Sequence, residues 1–257
     1  SDLSRRAFAE ALGTALLTMA VVGSGIAAER LSPGNTGLQL LESAVATAAV
    51  LAAVALALGP VSGAHLNPLV TLATRVLGTL GTREAVSYAG AQLIGAAAGA
   101  VVANVMFSLP ALELSTHARS SGALWSSEVV ATFGLLLVIF GVVRSGRSSA
   151  APFAVSAYIG GAYFFTSSTS FANPAVTVAR MLSDTFAGIA PGSVPAFVVA
   201  QLGGAVLALG AVRVLYPNSV LTAPQVVVPH APDPGATDAV SIELSRPPVG
   251  SGSRRAT

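Results

Sequence analysis

The sequence predicts an all-α integral membrane protein: six transmembrane helices plus two half-helices, arranged in two inverted repeats. Three observations carry this prediction: too little charge for a water-facing surface, six long apolar stretches, and a set of short motifs recurring in the same order in both halves. Of 257 residues, 53% are hydrophobic and 9% charged, against roughly 25% charged in a soluble domain. The mean hydropathy of +0.74 leaves much of the surface to be covered by lipid. The formal net charge is +2, carried by thirteen arginines with no lysine. They are scattered rather than striped, so no nucleic-acid partner is expected. Cysteine is absent, which excludes disulfides, thiolate metal sites and Cys nucleophiles.

A spanning helix needs about 20 mainly apolar residues. Six stretches qualify, at about 7–27, 40–58, 86–107, 124–143, 152–168 and 195–215, each bounded by charge, Pro or Gly. The fifth is the shortest and runs into a Ser/Thr segment. The first follows Arg5 and Arg6 and resembles an export signal, but it carries Glu10 and precedes five more spans, so it reads as a membrane helix. Two further apolar pieces, about 64–77 and 171–182, are too short to cross. Each contains an Asn-Pro pair, Asn67-Pro68 and Asn173-Pro174, in which Asn caps a helix and Pro opens it. They read as half-helices.

Arginine placement orients the chain. With the amino terminus inside, Arg5, Arg6, Arg75, Arg83, Arg144, Arg147 and Arg213 lie inside, against Arg30, Arg119 and Arg180 outside. Seven against three predicts cytoplasmic termini and a multi-pass protein of the cell membrane.

The duplication is visible in three echoes. Glu10 within Ala9–Thr14 is matched by Glu128 within Ser127–Thr132. Asn67-Pro68-Leu69-Val70-Thr71 is matched by Asn173-Pro174-Ala175-Val176-Thr177, and Gln92-Leu93-Ile94-Gly95 by Gln201-Leu202-Gly203-Gly204. A repeat of three spans is odd, so the second copy enters from the opposite side and the half-helices meet near the midplane. The channel domain is expected over 1–216, with repeat one at about 5–107 and repeat two at about 124–216. Seven of the fifteen prolines fall in 217–257, which reads as a disordered tail or linker.

Glu10 and Glu128 lie within spans, where a carboxylate needs partners. They read either as relay groups of a proton-coupled small-solute carrier or as braces for the loops; one per repeat suits bracing. Gln92 and Gln201 read as buried hydrogen-bonding spacers, and Gly95 and Gly99 as a close-packing pair. His65 is expected at the inner pore mouth, while His117 and His230 read as loop and tail residues. No metal-ligand spacing, nucleophile elbow or phosphate loop occurs, so neither an enzyme, a metal nor a cofactor is expected.

The segment Ser62-Gly63-Ala64-His65-Leu66-Asn67-Pro68, together with Ser170-Phe171-Ala172-Asn173-Pro174-Ala175, six spans and inverted repeats, resembles the aquaporin (major intrinsic protein) family over about residues 5–216. The resemblance implies an aquaporin-like fold, a passive pore for small neutral solutes, a homotetramer in lipid, and pore motifs at Asn67, Pro68, Leu69 and Asn173, Pro174, Ala175. Leu69 departs from the usual Ala and bears on the inner pore width. It also implies an outer filter, transferred by spacing to Thr47, Gly161, Ser170 and Val176. Val176 stands where the family usually has Arg, so a filter without an aromatic or a charge is expected, wider than a water-only one. Arg180, a turn beyond Val176, is expected at the outer pore mouth or reaching a headgroup or loop carbonyl. Val in place of Arg, Thr47, and the run from Phe165 to Ala172 resemble a bacterial subgroup tied to arsenic resistance. That likeness implies conduction of arsenite and glycerol as well as water, and a functional link to an arsenate reductase.

Overall fold

The structure is a computed structural model that describes residues 2–217. From residue 218 onward, the stretch expected to be a disordered tail lies outside the described residues. Eight α-helices follow one another: α1 (Leu3–Leu31), α2 (Thr36–Ser62), α3 (Pro68–Val76), α4 (Thr82–Met106), α5 (Gly122–Arg144), α6 (Ala151–Phe165), α7 (Pro174–Arg180) and α8 (Val194–Leu215). No strand occurs among the described residues.

Five helices, α1, α2, α4, α5 and α8 with its leading turn, are long and apolar enough to cross a membrane. α6 has 15 residues, about 22 Å at 1.5 Å per residue. One 3-10 turn, Ser148–Ala150, precedes it. It stops at Phe165 rather than near 168 because Thr166 is already extended, at φ −110° and ψ 136°. From there the chain turns inward toward the second half-helix.

The caps explain where several helices begin. Asp2 accepts from the Ser4 N–H at the start of α1, and Asn35 from the Leu38 N–H at the start of α2. Asn67 and Asn173 cap α3 and α7, and Pro68 and Pro174 are the first helical residues. A missing N–H costs nothing in that position.

Each repeat is built the same way. α1 packs on α2 and α4, α5 packs on α6 and α8, and α2 against α6 joins the halves. Small residues allow the closest approaches. A methyl group at Gly95 or Gly99 of α4 would strike the Ala11 or Ala15 carbonyl of α1, and one at Gly204 of α8 would strike the Val129 carbonyl of α5. Such backbone contact is how helices associate where lipid removes the hydrophobic drive between them. Large apolar side chains such as Ile94, Val199 and Val206 stay exposed on the outside, as a lipid-facing surface requires.

Candidate functional site

The loops leading into α3 and α7 share one backbone path. Ala64 and Leu66 have φ of 47° and 51°, and in the matching places Ser170 and Ala172 have 54° and 46°. Left-handed backbone at four non-glycine residues is strained and needs outside support. The two glutamates supply it. Glu10 accepts from the backbone N–H of His65 (2.9 Å) and Leu66 (2.7 Å), from the Ser62 hydroxyl (2.6 Å) and from the Gln92 amide (2.7 Å). Glu128 accepts from the N–H of Phe171 and Ala172, both at 2.9 Å, and from the Gln201 amide (2.6 Å). Gln92 and Gln201 also donate to Thr71 and Thr177 on the half-helices. Both carboxylates are fully buried behind the loops, turned toward backbone donors.

α3 and α7 meet tip to tip through a reciprocal pair of bonds. The Asn67 amide donates to the Ala172 carbonyl and the Asn173 amide to the Leu66 carbonyl, each at 2.8 Å. The Asn67 side-chain carbonyl accepts from the Leu69 N–H, and that of Asn173 from the Ala175 and Val176 N–H. An amide carries two hydrogens, so one on each Asn remains after the cross-loop bond. Both Asn residues border a central cavity of about 70 Å³. That is room for several waters.

Beyond this cavity, toward the loop over 107–121, lies a second one of about 160 Å³. Val21, Tyr163 and Arg180 border both, so the boundary between the two spaces, the candidate narrowing, falls at these residues. Thr47, Ser170 and Val176 border the inner cavity beside them. The Tyr163 hydroxyl donates to Thr47 Oγ1 at 3.1 Å. Arg180 is 4% exposed; its Nε donates to the Ala187 carbonyl, and its guanidinium carbon sits 3.4 Å from the centre of the Phe171 ring.

Two expectations about the filter change. Gly161 does not border the pore and is exposed on the outer side of α6. The pore face of α6 runs through Val155, Ile159 and Tyr163, and Gly161, two residues from Tyr163, points about 200° away from it. Counting back from Asn173 fails because 166–173 is irregular and carries no helical phase. The same boundary holds an aromatic, Tyr163, where none was expected; Arg180 beside it bonds a loop carbonyl, one of the places expected for it. Arg180 is drawn in because the chain after α7 folds back and presents the Ala187 carbonyl to it.

A family described as Major intrinsic protein matches residues 1–170 and 149–245. The chain belongs to the major intrinsic protein family. It is 50% identical over 212 residues to Aquaglyceroporin AqpS of Rhizobium meliloti, covering 82% of this chain and 90% of that one. It is 30% identical over 232 residues to Probable aquaporin AqpM of Archaeoglobus fulgidus, covering 80% of this chain and 94% of that one. In three dimensions it resembles the aquaglyceroporin from Plasmodium falciparum, with a TM-score of 0.60 at 21% identity, over 84% of this chain and 98% of that one. The likeness to this solved structure establishes the fold.

As a major intrinsic protein, the chain is a membrane channel and not an enzyme. Further residues of this aquaporin-type site take clear positions. His65 is 5% exposed and borders the inner cavity; its Nδ1 lies 3.1 Å from Thr71 Oγ1 and its ring meets Tyr88 edge-on. Leu69 is buried in the core, behind the Asn67 cap. The residues that sequence reasoning missed are Tyr163, Arg119, and the paired Ser62 and Ser168 that brace the loops. Their hydroxyls accept from the Ala64 and Ser170 N–H. The serines were open to detection, since they hold matching places in the two motifs.

Proposed function

We propose that the chain is a passive transmembrane channel for small uncharged solutes, passing glycerol-like polyols and arsenite as well as water. The observation that carries this reading is a cavity that runs past both Asn amides with no carboxylate on its wall. A neutral solute meets the amides of Asn67 and Asn173 as donors. It meets the carbonyls of Ala64 and Ser170, to which no described residue donates, as acceptors. Apolar side chains such as Leu51, Val70 and Ile159 line the remaining wall. Hydroxyl-rich neutral molecules suit that pattern. Arsenous acid is a neutral trihydroxy species at neutral pH and presents the same groups as a polyol. The name of the relative from Rhizobium meliloti, an aquaglyceroporin, supports glycerol.

We assign the filter to Thr47, Tyr163, Ser170, Val176 and Arg180. Val176 leaves width beside Thr47, and Arg180 keeps a positive charge at the narrowing. The positive ends of α3 and α7 add to the barrier against cations. The proposed working form is a homotetramer in the cell membrane with cytoplasmic termini. Its channel domain spans 1–216, made of repeats at about 5–107 and 124–216. In an arsenic-handling cell, an arsenate reductase would supply arsenite from within.

A proton-coupled carrier using Glu10 or Glu128 is not favoured. Both carboxylates are occupied by backbone and amide donors and neither borders the cavity. Stopped-flow measurements on proteoliposomes test the proposal. Water, glycerol and arsenite should each move down their own gradients at rates unaffected by a pH gradient. Concentrative uptake driven by a pH gradient would instead establish the carrier.

A further inference from the structure

The cavity on the far side of the narrowing has a feature that passage of neutral solutes does not require. Its wall includes two arginines, Arg119 and Arg180, and no Asp or Glu. Both guanidiniums lie over the same ring: their carbons are 5.3 and 3.4 Å from the Phe171 centre, hence no more than about 9 Å apart. Arg119 reaches there from the loop over 107–121, held by bonds from Nε to the Gly188 carbonyl (2.8 Å) and from Nη2 to the Phe186 carbonyl (3.2 Å). Its backbone N–H is fixed by the Ser193 hydroxyl at 3.0 Å.

These contacts use only part of the donor capacity. Arg119 Nη1 and both Nη atoms of Arg180 bond no described residue, and neither arginine forms an ion pair among the described residues. Burial pushes the Arg119 guanidinium below its ordinary range, partly offset by the field of Glu128. Two like charges facing one small space, one of them almost sealed from solvent, are costly without a counter-charge. Thr36, Ser43 and Thr169 also border this cavity, with the Ser43 hydroxyl paired to that of Ser24 at 3.1 Å.

We propose that this outer vestibule is a binding site for a small tetrahedral oxyanion, sulfate- or phosphate-like, and that the bound ion caps the pore. Charge-assisted N–H···O bonds of 2.7–2.9 Å put the centre of an oxyanion about 4 Å from each guanidinium carbon. One ion can therefore contact two guanidiniums whose carbons lie up to about 8 Å apart, and those of Arg119 and Arg180 are no more than about 9 Å apart. Arginine's planar fork matches such oxygens in a way that a point charge does not. The ion stops there because the inner cavity, walled by Leu17, Leu51, Val155 and Ile159, offers too little to replace its hydration.

Inorganic sulfate is the probe. In the full-length protein held in a phospholipid-free neutral detergent, calorimetry should show saturable sulfate binding at constant ionic strength, with chloride giving none. Arg119→Gln should weaken it at least tenfold. Arg119→Lys should weaken it less, and that milder variant preserves the test if the Gln variant does not fold. Arg30→Gln, on the same side but outside the vestibule, should leave it unchanged. Equal heats from chloride, equal loss in Arg30→Gln, or binding of a short-chain phosphatidylglycerol without binding of sulfate would each overturn the site. The capping effect rests on the channel reading and is read separately. In vesicles where glycerol flux is first established, sulfate on the vestibule side alone should reduce that flux at least threefold. Binding without any such reduction would overturn the cap while leaving both the site and the channel standing.

Discussion

The two loops that dive into the molecule have one backbone and two chemistries. Ala64 and Leu66 in the first repeat match Ser170 and Ala172 in the second in left-handed conformation. Each loop hangs from a buried glutamate and ends in an Asn that donates to the other. Yet where the first has His65, resting on Thr71 and Tyr88, the second has Phe171. One turn past the matched valines, Val70 and Val176, stand Thr74 and Arg180. Thr74 closes back on the Val70 carbonyl at 2.7 Å. Arg180 instead stacks on Phe171 and borders both cavities. The duplicated parts build the path, and the parts that differ place all of its charge on one side.

Breaking the shared part should have the largest effect. Glu10→Ala strands two buried backbone N–H groups, of His65 and the left-handed Leu66, at about 1–3 kcal/mol for each orphaned donor. Glu128→Ala does the same, but Glu10 holds four donors and Glu128 three. Both variants should lose most of the folded channel, and Glu10→Ala should show the lower thermal midpoint by fluorescence-monitored unfolding in detergent. The reverse order would mean that the loops are held by something other than these carboxylates.

A second test adds a charge on the side that already has one. Val176→Arg inserts a guanidinium beside Thr47, Ser170 and Tyr163, where the inner cavity meets the narrowing. Glycerol flux in proteoliposomes should fall by roughly tenfold, equivalent to about 1.4 kcal/mol at the barrier. Water flux should fall less, because the smaller solute needs less width. Equal losses for both would place the constriction elsewhere.

Much of this arrangement could be read from the residues because it is stated twice. The Asn-Pro pairs, the span glutamates and the glutamines recur in register, and a repeated polar group inside a membrane segment has few roles. What repeats nowhere was harder to read. Tyr163 escaped notice because its facing depends on the helical phase of α6, and the irregular chain between Phe165 and Asn173 transmits none. Arg180 was expected at the outer mouth or on a headgroup or loop carbonyl, but nothing in the sequence shows that the carbonyl is that of Ala187, in a loop after α7. Arg119 counted only as an outer-side charge, because its place depends on carbonyls at Phe186 and Gly188 far along the chain.

The smallest expected difference lies between the two caps. Asn173 accepts from two N–H groups and Asn67 from one, and a cap is worth about 1 kcal/mol. Asn173→Ala should therefore unfold at slightly lower temperature than Asn67→Ala, measured side by side in the same detergent. A lower midpoint for Asn67→Ala would show that the single cap to Leu69 bears more of the load than the bond count implies.

The claim that Arg180, in the second repeat, carries the side-chain part of the charge barrier is tested most directly by one paired measurement. Proton leak under an applied potential should be recorded in vesicles bearing the unaltered protein, Arg180→Ala or Thr74→Ala, at matched water flux. Arg180→Ala should raise the leak by roughly tenfold, as expected for losing about 1.4 kcal/mol of barrier, while Thr74→Ala leaves it at the level of the unaltered protein. An unchanged leak in Arg180→Ala, or an equal rise in both variants, would contradict the assignment of charge selection to the Phe171–Arg180 side.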